Sequence, residues 1–189
     1  EIGPYLKPVL KGEGVQYFDV LSTAAMKRRV RSMSEDERLL NCGTRNLTLA
    51  LAKVPSPVHY HDDRADLLRA VGTSRHGTFS LVLSSHAIEH QTDLVRHLQN
   101  VSALLRNDGG YYLLFVPDKR YCFDQFLPAT TIAQVLDDYH HNRTRHKLRS
   151  AIEHRALTVG NDVMDPWTHH KGKRASEHGS FSTHLRKLH

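Results

Sequence analysis

The residues that could do chemistry fall at recurring places. Glu1 and Gly3, then Asp19, Asp62, Ser84-Ser85-His86 and Pro117-Asp118 each follow a short apolar run. In an open parallel sheet, ligands bind outside the carboxyl ends of the strands, so acids and hydroxyls recurring at strand exits would converge on one crevice. Asp and Ser are also ordinary turn and cap residues, so the recurrence carries more weight than any single member. Asp19 lies sixteen residues after Gly3. That places an acid to accept both hydroxyls of a ribose, as in dinucleotide folds where the interval is ~20 residues. A pyrophosphate would need a G-x-G-x-x-G loop, and Tyr5 and Pro8 stand where its second and third glycines would be. A nucleoside cofactor without phosphates fits better, with Glu1 available to a positively charged amino-acid part.

A second constellation is His86-Ala-Ile-Glu-His90. It matches the H-x-x-E-H pattern of a class of zinc peptidases, in which two histidines at i, i+4 on a helix hold the metal and a Glu acts as base. The match is five residues long in a chain with fifteen histidines. It sits at a strand-to-helix turn with no downstream carboxylate ligand, so a His/Glu metal-dependent hydrolase ranks last among the alternatives. Without a metal, Glu89 and His90 would cap the turn and line an acceptor pocket. His90 is then the candidate general base, because an imidazole exchanges protons near neutrality. Asp118, Lys119 and Arg120 follow the last strand, and Arg120 could clamp a carboxylate or phosphate.

These residues need a scaffold. Phe79–Ser84 reads as a buried strand, and Thr92 or Asp93 can cap the helix after it. Leu94, Val95, Leu98, Val101, Leu104 and Leu105 recur at helical spacing, Asn107–Gly110 stops that helix, and Tyr111–Val116 is the next strand. Upstream, Val15–Phe18 and Val58–His61 are short strands, and Asp66–Val71 is a short helix. Between those strands, Thr23–Val30 and Ser34–Leu40 have helical composition, the second opened by the capping box Ser34-Glu-Asp-Glu37. Pro55 and Pro57 end that insertion. Thr131–Tyr139 is a further helix. Only eleven residues separate Gly3 from the next strand, so any helix there must be short or irregular. Strands alternating with helices predict an α/β fold with a mostly parallel sheet.

Composition narrows the class. The chain has 189 residues, 39% hydrophobic and 24% charged, and no apolar run approaches the ~20 residues of a membrane span. The net charge of +6 is unevenly spread: residues 140–189 hold ten Lys/Arg against four Asp/Glu, with sixteen against sixteen before them. The expected organisation is a core at 1–124 and a basic, His-rich C-terminal segment at 125–189, serving as a tail or substrate cap. Arg143, Arg145, Lys147 and Arg149, then Lys171, Lys173 and Arg174, could track phosphates. With only Trp167 and Phe181 for stacking among residues 140–189, the tail argues against a nucleic-acid partner. Two cysteines, Cys42 and Cys122, are too few for a disulfide framework, so a cytoplasmic setting is expected.

On Glu1-Ile-Gly-Pro4, Asp19, Ser84-Ser-His-Ala-Ile-Glu-His90, Leu104-Leu-Arg-Asn-Asp-Gly-Gly110 and Pro117-Asp-Lys-Arg-Tyr-Cys-Phe-Asp124, the chain resembles the class I S-adenosylmethionine-dependent methyltransferases. The first and last of these motifs look like one bacterial subgroup of them. The resemblance implies a Rossmann-like sheet with flanking helices, its first strand truncated ahead of Glu1, and S-adenosylmethionine as cofactor. Glu1, Gly3 and Pro4 would cradle its methionyl part, Asp19 the ribose, Asp62 the adenine edge, and Ser85 or His86 the floor beside the sulfonium. His90, with His86, Asp118 and Arg120, would serve the acceptor, a small or carrier-linked molecule methylated at oxygen. Relatives with E-x-x-E-H at this place hold a divalent ion, and His86, Glu89 and His90 would be the corresponding residues here, although the metal-free reading is preferred. The alternative to an enzyme is a nucleotide-binding or interaction module on the same fold.

Overall fold

The computed structural model describes residues 1–158, so Asn161–Asp165, His169-His170 and the cations from Lys171 onward lie outside the described residues. It forms two compact units, Glu1–Val116 and Pro117 onward. The division falls at Pro117, where the proline follows the last strand and Asp118 starts a new turn.

The first unit mixes helices with short parallel strands. Strand β1 is Phe18–Asp19 and β2 is Tyr60–His61, paired in parallel as Phe18 with Tyr60 and Asp19 with His61. Strands β3 (Leu81–Ser85) and β4 (Tyr111–Phe115) pair in parallel over their whole length. Ile2 joins the two pairs, making parallel bridges to Phe18 on one side and Ser84 on the other. Its N–H donates to Leu83 O at 2.8 Å, and Phe18 N–H donates to Glu1 O at 2.9 Å. The order across is therefore β2, β1, Ile2, β3, β4. Strands expected at Val15–Phe18 and Val58–His61 are shorter and begin later, because only two residues of each keep the ladder.

No helix lies between Ile2 and β1. Pro4 O accepts Lys7 N–H at 2.9 Å in a turn, and an irregular loop completes the connection. The insertion after β1 holds α1 (Thr23–Ser32), α2 (Glu35–Cys42) and α3 (Leu47–Ala52). Ser22 caps α1, the Ser34–Glu37 box opens α2, and Asn46 caps α3 by accepting Leu49 N–H at 3.0 Å. These helices bury Met26, Val30, Cys42 and Ala50 against Leu6 of the first loop. A second core holds Ile2, Phe18 and Val82 of the strand layer against Leu67 and Val71 of α4 (Leu67–Val71) and Val101 and Leu104 of α5 (Leu94–Leu104).

Helix α5 is capped by Asp93, which accepts Arg96 N–H at 2.9 Å. It ends at Leu104 with Leu105 extended, before the glycines expected to stop it. Gly110 is instead required by crowding: a Cβ there would lie 2.9 Å from Arg106 N and from Leu105 Cβ. The buried residues of α5 are His97, Val101 and Leu104, at i, i+4 and i+7, while Leu98 is exposed. The inward face is thus turned from the expected one, and a histidine stands on it.

In the second unit, α6 (Ile132–His140) opens with a Thr131–Gln134 capping box, and α7 (Leu148–Leu157) follows. Lys147 Nζ lies 2.8 Å from Asp137 and 2.7 Å from Asp138, and Arg143 Nε is 3.4 Å from Asp138. Arg149 pairs with Glu153 at 2.7 Å. Three of the four alternating cations are thus held by carboxylates. Among the described residues, no helix is long and apolar enough to cross a membrane.

Candidate functional site

Ile2 lies between β1 and β3, and the chain leaving it turns at Gly3, where φ is +68°. A Cβ on Gly3 would also meet Ala87 Cβ at 3.0 Å, so the loop after Ile2 and the turn after β3 approach as closely as a glycine permits. Pro4 is buried beside it. The Glu1 carboxylate accepts the N–H groups of Val9 (2.9 Å) and Leu10 (2.8 Å), folding the loop back on itself.

Asp19, at the exit of β1, is 5% exposed. Its Oδ2 accepts Tyr5 N–H at 3.2 Å and its Oδ1 accepts Leu21 N–H at 3.0 Å. Burial raises its carboxyl above the ordinary carboxylate range, and the N–H donors of Leu21, Tyr5 and Val20 oppose that rise. With three N–H groups directed at it, the carboxylate keeps acceptor capacity for one further donor.

Asp62, at the exit of β2, is more fully committed. Oδ1 accepts Arg64 N–H at 2.8 Å and Asp66 N–H at 3.3 Å, and Oδ2 pairs with Arg69. Burial pushes this carboxyl up, but those N–H donors and the guanidinium outweigh it and hold it below its usual range. Its own N–H donates to Asp19 O at 3.3 Å, so Asp62 braces the exit that carries Asp19.

At the exit of β3, Ser85 is half-buried and pairs with Phe115. His86 has φ of +51°, and its N–H donates to Phe115 O at 3.0 Å, so the ladder bond holds a histidine in the left-handed region. Glu89 Oε1 lies 3.8 Å from His86 Nδ1 and 4.0 Å from His90 Nε2, and both imidazoles are exposed. Residues Ile88–His90 form a single 3-10 turn that His86 precedes. The i, i+4 helical pairing of a zinc peptidase is therefore not formed at this turn. Among the described residues, no three His, Cys, Asp or Glu side chains converge on a common point.

Asp118 and Arg120 belong to the second unit and hold each other. Asp118 caps a 3-10 turn, Lys119–Tyr121, and accepts Arg120 Nε at 3.0 Å as well as its backbone N–H. The Arg120 side-chain bond, with the backbone N–H, lowers the Asp118 carboxyl to about 2. The guanidinium is thereby engaged within its own loop.

One polar feature escaped the sequence reading. Ser84 Oγ lies 3.0 Å from Tyr112 OH, and Tyr112 OH lies 2.8 Å from His97 Nε2. This chain runs through the core from β3 across β4 to α5, with Ser84 1% and His97 7% exposed. Burial alone drives the His97 pKa down to about 4, so the imidazole is neutral at pH 7. The available signal was positional: His97 shares the i, i+4, i+7 stripe of Val101 and Leu104. No protein-family model, curated protein sequence or solved structure matches the chain.

Proposed function

We propose that the first unit is a Rossmann-like methyltransferase core that moves a methyl group from S-adenosylmethionine to an oxygen of a small or carrier-linked acceptor. The observation that carries this reading is the parallel order β2, β1, Ile2, β3, β4, with Ile2 bridging both sides. Strand order runs outward in opposite directions from Ile2. That is a topological switch point, where open α/β sheets take their ligands. The loop through Gly3, the Asp19 carboxylate and the turn at His86 all leave the carboxyl ends of these strands.

The residues present fit such a cofactor in part. Asp19 retains acceptor capacity for a ribose hydroxyl, and Gly3 lets the first loop lie against the turn after β3, where a Cβ would meet Ala87. Glu1 and Asp62 are employed by their own chain, so their part is to hold the loops. The cofactor supplies an electrophilic methyl group, and the protein's share is alignment and proton management. His90 is assigned as the base that takes the acceptor's hydroxyl proton, with His86 beside it across Glu89. Asp118 and Arg120 carry no step in this scheme.

Calorimetry with S-adenosylmethionine and S-adenosylhomocysteine tests the reading. Binding with Kd below ~100 μM, equivalent to ~5.5 kcal/mol or more, is expected, and its absence rejects the enzyme. Asp19→Asn, which keeps the side-chain volume, should weaken binding by ~1–3 kcal/mol. Unchanged affinity would reject the ribose assignment. A second reading, a nucleotide-binding or interaction module without catalysis, is favoured by one observation: Glu1 and Asp19 already accept N–H groups of their own loops. Binding of the nucleoside without methyl transfer would select it.

A further inference from the structure

Helices α1 and α2 line an open groove of about 670 Å³. That lies within the ~300–1,000 Å³ typical of small-molecule sites. The α1 wall is a stripe at helical spacing: Ala25, then Arg28 and Arg29, then Ser32 and Met33. Glu37 and Asn41, four residues apart on α2, face it, and Leu21 contributes at one end.

The chemistry of these walls is unbalanced. Neither Arg28 nor Arg29 forms an ion pair among the described residues. Arg29 lies over the Tyr5 ring, 5.8 Å from its centre, and is near enough to Glu37 to act on its carboxyl, although the two form no ion pair. The single acid, Glu37, is turned to its helix cap and accepts Ser34 N–H at 2.7 Å. Arg29 is shared with Tyr5 and Glu37, whereas Arg28 is exposed, and both line the groove together with Leu21, Ala25 and Met33. Guanidinium groups pair with carboxylate and phosphate oxygens through two parallel bonds. An apolar body next to that head would cover the remaining wall.

We propose that the α1–α2 groove binds an amphipathic organic anion, its carboxylate or phosphate head on Arg28 and Arg29 and its apolar body against Leu21, Ala25 and Met33. The site is independent of the methyl-transfer reading and stands or falls separately.

Three eight-carbon probes test it: octanoate, octyl phosphate and 1-octanol, titrated into the whole chain with amide chemical shifts and calorimetry as readouts. Saturable binding of one or both anions is expected, at least about tenfold tighter than octanol, with shifts centred on α1 and α2. The tighter of the two anions identifies the head group. Arg28 is exposed, so Arg28→Gln should fold normally and weaken the anions about tenfold while leaving octanol unchanged. Ser32→Trp, also at an exposed position, should fill the groove and exclude both anions. Equal binding of octanol and the anions, shifts away from the groove, or an Arg28→Gln variant that binds like the parent would each overturn the proposal.

Discussion

Strand β3 feeds two groups of polar residues that share a strand and almost nothing else. Beneath α5, Ser84, Tyr112 and His97 form a hydrogen-bonded chain inside the core. Beyond the carboxyl end of the strand, His86, Glu89 and His90 stand on an exposed turn, with no pair closer than 3.8 Å. The second group has the conspicuous sequence pattern, and the first has none. Burial is what separates them. In the core, each polar atom must find a partner or lose the full cost of desolvation, so His97 is fixed by structure. On the turn, both imidazoles face solvent, so folding does not dictate their partners.

The largest test of that contrast is acid. His97 titrates at about 4 in the folded chain against an ordinary 6.5, so below pH 6.5 the unfolded chain binds a proton that the folded one refuses. Stability from this group is complete above 6.5, is lost as pH falls toward 4, and changes no further below that. Two and a half pH units correspond to about 3 kcal/mol. Asp19, whose carboxyl burial raises, acts in the opposite sense, since the folded chain takes up its proton first as pH falls. The difference between parent and His97→Gln therefore isolates the histidine. Denaturant melts at pH 7 and pH 4.5 should show a smaller loss for the variant. An equal loss in both would mean that His97 is hydrated in solution.

Next in size is Tyr112→Phe, which removes the hydroxyl that Ser84 and His97 share. Leaving both without that partner should cost about 2 kcal/mol in the denaturant midpoint at pH 7. A change within ~0.5 kcal/mol, the level of an ordinary surface substitution, would show that the chain contributes nothing to stability.

Much of the scaffold could be read from pattern. The strand positions, the Ser34 box, the Asp93 cap and the α6 helix follow from apolar runs and cap residues, which are local signals. Helix α3 was missed because Leu47–Ala52 is a six-residue apolar segment, too short to display a helical period. Helix α7 was missed because its apolar residues spread around it and gather on no face. The acids at strand exits were legible as acids. Their partners were not, since Asp19 holds Tyr5 and Asp62 holds Arg69 only once the loops have folded over the strand ends. His97 hid because α5 is turned so that Leu98 faces water, and registers of that kind are set by packing against the strands, which no local window contains.

The smallest effects belong to the exposed turn, and they bear most directly on function. His86 holds φ of +51°, where a side chain is disfavoured and glycine is not. Its ladder bond to Phe115 is made by the backbone, so His86→Gly keeps it. The variant should gain up to about 1 kcal/mol in stability at pH 7, the approximate cost of holding a side chain in that region. His90→Ala, on an exposed side chain, should move the midpoint by less than ~0.5 kcal/mol. If both hold, the turn retains a strained, solvent-facing histidine that folding does not require, as expected of residues kept for a bound molecule. If His90→Ala instead costs as much as Tyr112→Phe, the turn is part of the structural core, and the division between the two ends of β3 fails.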